Sequence, residues 1–233
     1  MPPEPVTGTG PPHVRVTARS GSVTVIGEAR DDVVASDHAD VVEGPDGVVE
    51  VVPHRGSRSV TVQCPEGAAV TIGTRSGRLH LRGPLGAVHA NTASGTIEVD
   101  NAASADLRAL SGSITVERCA GPCRIKTKSG ATHVRSAGSV DITMGSGTVS
   151  VESVDTSARV RAVSGSVTLA AEGRGPIEVE TMSGSIVVTV PEWCRPNVRA
   201  KTLSGRARVE CPEGDDCSVV ARTLSGRITV RSR

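Results

Sequence analysis

The sequence has almost no aromatic side chains. Of its 233 residues none is Phe or Tyr, and only Trp193 is Trp. Aromatic residues normally supply much of the area buried in a globular core, so a conventional core is not expected. No apolar run approaches the roughly 20 residues that a membrane-spanning helix needs, and we therefore expect no membrane span.

An excess of charge of one sign is also lacking. Lys and Arg number 26 and Asp and Glu number 25, which gives a net charge of +1. This balance argues against a uniformly basic nucleic-acid binder, so no nucleic-acid partner is expected. Residues 1–12 have neither the basic region nor the apolar stretch of a secretory signal peptide. Together with the missing membrane span, this leads us to expect a cytoplasmic protein.

The sequence does contain a repeat. The dipeptide Ser-Gly occurs ten times, and from Ser76 onward the spacings are 18, 17, 18, 17, 18, 19, 21 and 21 residues. Self-similarity at a nearly fixed period is typical of repeat architectures. The serines are Ser20, Ser76, Ser94, Ser111, Ser129, Ser146, Ser164, Ser183, Ser204 and Ser225.

Apolar and polar residues alternate on both sides of each Ser-Gly. Around Ser146, for example, Val140 and Ile142 precede the turn and Val149 and Val151 follow it, with polar residues between them. A period of two indicates strands with one buried face. Each repeat therefore predicts two short strands joined by a glycine turn, and the fold class is all-β.

We predict a single-chain flattened β-solenoid (β-helix) of about ten coils of 17–21 residues, because no helix or second domain remains to cover a flat sheet. Val41-Val42, Gly44–Gly47 and Val48–Val52 indicate a hairpin near the N-terminus. The predicted organisation is a disordered Pro-rich leader (1–13), the first strands with the hairpin section (14–63), and a regular β-solenoid (64–233).

The repeat unit resembles a known bacterial family. The pattern T-x-S-G-x-I-x-V runs through Thr92–Val99, Ala109–Val116 and Thr181–Val188, and Cys64–Val70 supplies a P-x-G entry segment. These segments are similar to the "putative adhesin" β-strand-repeat family, a domain of unknown function. The resemblance implies a β-helical rod that serves as a scaffold or in adhesion, and it supplies no catalytic residues to carry over.

Stacked repeats place some charged residues in one column. Asp100 and Glu117 both lie six residues after their serines, so their layers should be about 5 Å apart. This separation suits the carboxylate pair of a retaining glycosidase, although a solvated charge ladder explains it as well. His80 and His133 fall three coils apart, so no metal site is expected, and no phosphate-loop or dinucleotide motif implies a cofactor.

The six cysteines leave two alternatives open. Cys119 and Cys123 flank one turn, and Cys211 and Cys217 flank another. These pairs either close disulfides across their turns or remain reduced apolar fillers, the second being the rule in reducing compartments.

The two ends of the predicted rod differ in charge. Residues 31–50 hold seven acids and no Lys or Arg, whereas residues 195–233 hold nine bases and four acids. The last strand, Arg227–Arg233, has nothing after it to cover its edge. Exposed edges are templates for pairing, so this end is a candidate interaction end. Its arginines are Arg222, Arg227, Arg231 and Arg233.

Three hypotheses for the function follow from these features. The first is a non-catalytic scaffold or adhesion/interaction module of bacterial type, which binds a protein partner or itself through its ends or flat faces. The second is a cytoskeleton-like rod that assembles head to tail through the acidic and basic ends. The third is a carbohydrate-active enzyme that uses Asp100 and Glu117. We favour the first, and we expect neither an enzyme activity nor a small-molecule substrate.

Overall fold

The structure is a computed structural model that describes residues 12–44, 47–54 and 59–233. Within these residues the strands form one sheet that winds through successive layers. The strands are β1 (His13–Ser20), β2 (Ser22–Glu28), β3 (Val34–Ala35), β4 (Ala39–Glu43), β5 (Val48–Pro53), β6 (Ser59–Pro65), β7 (Ala69–Val151), β8 (Val154–Ala170), β9 (Ile177–Ser183), β10 (Ile186–Val190), β11 (Pro196–Glu210) and β12 (Cys217–Ser232).

The alternation around each Ser-Gly builds these strands. In β7, Ile72 before the turn and Leu79 after it are fully buried, while the neighbouring Thr71 and His80 are partly exposed. Successive side chains of a strand point to opposite faces, so both halves of a layer direct their apolar side chains into one core. The predicted all-β solenoid is confirmed.

Equivalent residues of successive layers are stacked. Val99, Val116 and Val134, which follow three consecutive turns, are 1%, 0% and 0% exposed. Parallel pairing keeps the register from layer to layer, as in the ladder that joins Val149 to Val167 and Val151 to Leu169. The interior is therefore a continuous aliphatic column without aromatic residues.

Glycine is required at the turns because the layers approach each other there. Gly147 has a φ of 136°, a conformation in which a side chain is strained. A Cβ on Gly147 would fall on the carbonyl oxygen of Gly130 in the layer below. The same relation orders the turn glycines along the rod: Gly21, Gly77, Gly95, Gly112, Gly130, Gly147, Gly165, Gly184, Gly226 and Gly205.

At the N-terminal end the order of layers departs from the order in sequence. β1 lies between β5 and the start of β7, and β2 lies between β6 and β7. The layer of β5 and β6 is therefore outside the layer of β1 and β2. Two short strands run antiparallel along this outer layer, β4 against β5 and β3 against β6, and β4 and β5 form the predicted hairpin.

At the C-terminal end the order is exchanged in the same way. β12 pairs in parallel with β9 and β10 on one side and with β11 on the other. The last strand is thus inserted beneath the strand that precedes it. The prediction that Arg227–Arg233 forms the uncapped edge is wrong, because residues 228–231 have strand neighbours on both sides.

Part of the predicted organisation falls outside the described residues. β1 begins at His13, the last residue of the predicted leader, and the rest of that leader up to residue 11 lies outside them. So does the centre of the predicted turn, residues 45–46.

Candidate interaction site

The outer side of β11 is the open edge of the rod, and we call it the C-terminal edge. β11 pairs with β12 from Pro196 to Glu210. Among the residues that the structure describes, no second strand pairs with β11. The backbone groups that point away from β12 therefore face outward, and they form a row of donors and acceptors that another strand could use.

The second half of β11 is open to solvent even on its core side. Ala207 and Val209 stand opposite Ile228 and Val230 in the ladder. Ile228 and Val230 are fully buried, whereas Val209 is 43% exposed and Ala207 is exposed as well. No layer covers them within the described part of the chain, so the aliphatic column ends here at the surface.

The C-terminal edge carries four exposed cations. One ion pair, from Arg208 to Glu210 at 3.3 Å, lies within β11 itself. The other cations have no ion pair among the described residues. The four side chains are Arg199, Lys201, Arg206 and Arg208.

The four arginines predicted as an interaction end all belong to β12 or to the residue after it. Arg222 donates to Glu180 at 2.7 Å, and Arg233 pairs with Glu172 at 2.6 Å. Arg227 stands beside Arg206 and Arg231 beside Glu210 in the ladder with β11. The structure therefore places them one layer inside the end, and their role in binding stays a prediction.

A sequence signal for this exchange of strands was available. The spacing between consecutive Ser-Gly pairs grows to 21 residues from Ser183 to Ser204 and again to Ser225. The extra residues lie in the connections 191–195 and 211–216, which carry the chain past one layer and back again.

An apolar ridge runs along the outer face toward this edge, and sequence reasoning missed it. Four residues that directly precede their serines are stacked on consecutive layers. Each is more than half exposed, and the outermost, Leu203, reaches 84%. The sequence indicates the ridge by an apolar residue directly before the serine, a position that faces outward and is expected to be polar. In layer order the ridge is Val163, Met182, Leu224 and Leu203.

A groove of about 620 Å³ lies along the ridge. The column beside it is charged, and Glu180 is held there by Arg222 at 2.7 Å and by Arg161 at 3.7 Å. Lys201 lines the groove on the outermost layer. Three cations against one carboxylate leave this groove positive.

The groove continues with different chemistry toward the N-terminal end. A second section of about 520 Å³ is lined by Leu110 together with Arg108, Lys126 and Lys128. Leu110 is exposed in the same column as the ridge, but Lys128 is its neighbour on the next layer. The stacked apolar surface is therefore confined to the C-terminal layers.

The six cysteines are free thiols, and all except Cys211 are buried. Cys119 and Cys123 lie within hydrogen-bonding reach of each other, and a disulfide between them stays a prediction. The hydrogen bond between their thiols lowers the pKa of Cys119 and raises that of Cys123, where burial adds to the rise.

Cys217 contacts a thiol that the sequence analysis did not pair with it. The Sγ atoms of Cys217 and Cys194 are 2.7 Å apart. Burial raises the pKa of Cys217, and the hydrogen bond with Cys194 adds to that rise. The contact joins the connection before β11 to the start of β12. A disulfide between Cys211 and Cys217 stays a prediction.

Asp100 and Glu117 lie on an open face of the rod. Glu117 accepts a hydrogen bond from Arg135 at 2.9 Å, and Arg135 also lies 3.9 Å from Glu152. Neither Asp100 nor Glu117 lines either section of the groove. Of the predicted histidines, His80 lies 3.2 Å from Glu98 and His133 lies 3.3 Å from Glu152, and no metal-binding group occurs among the described residues.

Residues 13–225 match the sequence profile of the family described as Toastrack DUF4097. The chain belongs to this family. The resemblance predicted from the Ser-Gly repeats is confirmed. No curated protein matches the chain. In the part of the chain that the structure describes, no helix has the length and apolar character needed to cross a membrane.

Solved structures similar to this Toastrack DUF4097 chain include two putative adhesins and a putative cell adhesion protein. A putative adhesin from Parabacteroides distasonis is 13% identical, with a TM-score of 0.49, over 99% of this chain and 94% of that one. A putative adhesin from Bacteroides fragilis is 11% identical, with a TM-score of 0.36, over 96% and 93%. A putative cell adhesion protein from Clostridium sporogenes is 9% identical, with a TM-score of 0.27, over 99% and 97%.

Proposed function

We propose that this Toastrack DUF4097 chain is a non-catalytic interaction module that binds an extended segment of a protein partner at its C-terminal end. The observation that carries the proposal is the outer side of β11, which pairs with no strand of the described residues along its whole length. A long open edge can accept a further strand through main-chain hydrogen bonds. The ridge and the groove beside it supply the side-chain contacts that such pairing needs for specificity.

The ridge supports binding because clustered exposed apolar residues mark interaction surfaces. Val163, Met182, Leu224 and Leu203 stack without a polar residue between them. The adjoining column holds Arg161, Arg222 and Lys201 against Glu180. Charge complementarity therefore favours a partner segment that combines apolar side chains with acidic ones.

The surroundings of Asp100 and Glu117 support the non-catalytic part of the proposal. Glu117 is held by Arg135 in an exposed ion pair. The two carboxyl groups of a glycosidase flank one bond of a bound sugar, whereas Glu117 is engaged by Arg135 and neither Glu117 nor Asp100 lines the groove. Asp100→Asn should leave binding to a panel of polysaccharides, and any hydrolysis of them, unchanged. A loss of activity in this variant would contradict the proposal.

The ridge can be tested with a matched pair of substitutions. Leu203→Glu and Leu110→Glu change the same column, but only Leu203 belongs to the ridge. Each variant is used as bait with extract from the source organism, and captured proteins are quantified by mass spectrometry. Proteins retained by wild type and by Leu110→Glu should be lost with Leu203→Glu. Equal capture by both variants would contradict a contact at the ridge.

The edge can be tested with prolines at neighbouring positions. Adjacent residues of a parallel strand direct their N–H groups to opposite sides, so either Ala200→Pro or Lys201→Pro removes a bond to β12. The other variant removes only an outward donor. One variant should lose stability, and the other should lose the partner at unchanged stability. Retention of the partner by the stable variant would exclude strand addition.

A second candidate function is head-to-tail assembly of the rod, which the charges of the two ends favour. The C-terminal edge carries Arg199 and Lys201, and the outermost strand of the other end, β4, carries exposed Asp40 and Glu43. A contact between two different surfaces of one molecule produces open chains of subunits. The simpler alternative is that the cations keep the open edge soluble.

Charge reversal separates these alternatives. Lys201→Glu and Asp40→Lys should each abolish assembly in low salt. An equimolar mixture should assemble again, because the unchanged ends of the two variants attract each other and so do their reversed ends. The double variant should assemble again, while Lys126→Glu, a matched change in mid-rod, should assemble as wild type does. Sedimentation velocity at low and high salt measures this, and a wild-type rod that stays monomeric in low salt would rule out assembly.

A further inference from the structure

The two connections that flank β11 meet at one corner of the rod. The N–H of Arg195 donates to the Asp216 carboxylate at 3.0 Å, and the N–H of Asp216 donates to the Arg195 carbonyl at 3.0 Å. The side chain of Asn197 donates to Asp215 at 2.9 Å. The chain enters and leaves β11 through a corner that hydrogen bonds hold in place.

Two thiols are in contact inside this corner. Cys194 is 0% exposed and Cys217 is 6% exposed, and their Sγ atoms are 2.7 Å apart. Cys217 lies opposite Pro196 in the ladder between β11 and β12. Pro196 follows Cys194 by two residues in the sequence, so the ladder places Cys217 beside Cys194. Because the backbone fixes both residues, their sulfur atoms meet without a rearrangement of the strands.

We propose that Cys194 and Cys217 are a site of oxidative modification, at which a small-molecule disulfide closes a protein disulfide that locks β11 onto the rod. The bond would form a ring that contains residues 195–216 and therefore all of β11. The inference goes beyond the proposed function, because it holds whether or not a partner binds to the edge.

The small-molecule disulfide RS–SR is the only oxidant that the reaction needs. The thiolate of one cysteine attacks a sulfur of the oxidant, RS–SR, forms a mixed disulfide and releases RS⁻. The thiolate of the other cysteine then attacks the protein sulfur of that mixed disulfide and releases a second RS⁻. The protein loses two electrons and two protons, and the oxidant becomes two RSH. Because Cys194 and Cys217 are buried, attack requires a local opening of β11.

The disulfide between Cys194 and Cys217 would act on β11, which is held by fewer strand contacts than the layers beneath it. β11 has one neighbouring strand among the described residues, so it can open without disturbing the layers beneath it. A crosslink across its two ends restricts the open state more than the closed state. Oxidation should therefore slow the opening of the C-terminal edge and leave the N-terminal end unchanged.

The first experiment uses the wild-type chain with oxidised glutathione as the probe. After incubation until the mass stops changing, peptide mapping under non-reducing conditions should find a crosslink between Cys194 and Cys217. Cys211→Ser should keep this crosslink, whereas Cys194→Ser should lose it. A crosslink of Cys211 with Cys217, a crosslink of Cys119 with Cys123 alone, or no crosslink at all would overturn the proposal.

The second measurement tests the lock itself and needs no variant. Hydrogen exchange by mass spectrometry compares the oxidised and the reduced wild-type chain. Exchange of amides in β11 should slow at least tenfold on oxidation, and exchange in β5 should not change. A crosslink between Cys194 and Cys217 that leaves β11 exchange unaltered would overturn the proposed effect on the edge.

Discussion

The two ends of the rod share a topology but are completed differently. At each end a terminal strand of the chain lies one layer inside, and an internal segment forms the outermost layer. At the N-terminal end β4 and β3 run along that outermost layer. At the C-terminal end, within the described residues, β11 has no strand on its outer side.

Equivalent positions show what this difference does. Val60 and Val62 in β6 occupy the repeat positions of Ala207 and Val209, and they are 3% and 0% exposed. Val209 occupies a core-facing position in the outermost C-terminal strand and is 43% exposed. A valine that faces the core is therefore buried at the N-terminal end and exposed to solvent at the C-terminal end. The C-terminal end therefore has the longer open edge among the described residues, because β11 has 15 residues whereas β4, which pairs only with β5, has 5.

The largest effect is expected from an added methyl group in the glycine column. In Gly226→Ala the new Cβ would fall on the Gly184 carbonyl, one layer inside the C-terminal end. We expect a loss of roughly 3 kcal/mol or more in the free energy of unfolding. Gly205→Ala makes the equivalent clash with Gly226, but it should mainly release β11 and shift the main transition less than half as much.

Denaturant unfolding followed by circular dichroism measures both variants. Gly73→Ala is the control, because its Cβ would meet nothing within 4 Å and its stability should change by less than about 1 kcal/mol. Equal losses in the free energy of unfolding for Gly226→Ala and Gly205→Ala would show that β11 unfolds together with the rod. This result would contradict the expectation that β11 opens before β12.

A smaller effect is expected from shortening one valine at each end. Val51→Ala removes buried methyl groups beneath β4 and should cost about 1–2 kcal/mol. Val209→Ala removes groups that water already reaches and should cost less than about 0.5 kcal/mol. Thermal unfolding of the two variants side by side measures the contrast. Similar losses would mean that the core is closed at both ends.

Much of the fold was predictable because it depends on local repetition. The alternation around Ser146 specifies which side chains are buried, and the fixed period specifies that they stack. The layer order at the ends was not predictable in this way. β12 could continue the stack above β11 or insert beneath it with the same alternation, and only the longer connections around β11 distinguish the two.

The candidate site was less predictable because it is built from exceptions to the repeat. Leu203 and Met182 follow from comparing one column across repeats, which the sequence permits. The order of these residues in the ridge could not be predicted in this way. In sequence order Leu203 would lie between Met182 and Leu224, whereas in the structure Leu224 lies between Met182 and Leu203. The contact of Cys194 with Cys217 depends on the same exchange of layers, so it could not be found from turn spacing.

A difference in local opening is expected between β11 at one end of the reduced rod and β5 at the other. β11 is held from one side along its length, whereas β5 pairs with both β1 and β4. Amides of β11 that bond to β12 should exchange at least tenfold faster than amides of β5 that bond to β1, which corresponds to about 1.4 kcal/mol. Fluorescence of Trp193, the sole tryptophan, should likewise change at lower denaturant than circular dichroism. If fluorescence and circular dichroism changed at the same denaturant concentration, the C-terminal end would not be less stable than the rest of the rod.

The smallest effect on stability is expected at the ion pairs of the groove. Glu180→Gln removes the carboxylate that lies between Arg161 and Arg222. Exposed pairs contribute little, so the loss should stay below about 1 kcal/mol and shrink as salt is added. At the other end, Glu50→Gln breaks the 3.5 Å contact with Arg15 and should cost less still.

Binding should respond to Glu180→Gln in the opposite direction from stability. The variant leaves Arg161, Arg222 and Lys201 in the groove without their carboxylate, so an acidic partner segment should be held more tightly. Affinity for the captured partner, measured by calorimetry at two salt concentrations, checks this. Glu50→Gln changes the charge equally at the covered end and should not alter affinity. Weaker binding by Glu180→Gln would show that the partner does not use the charged side of the groove.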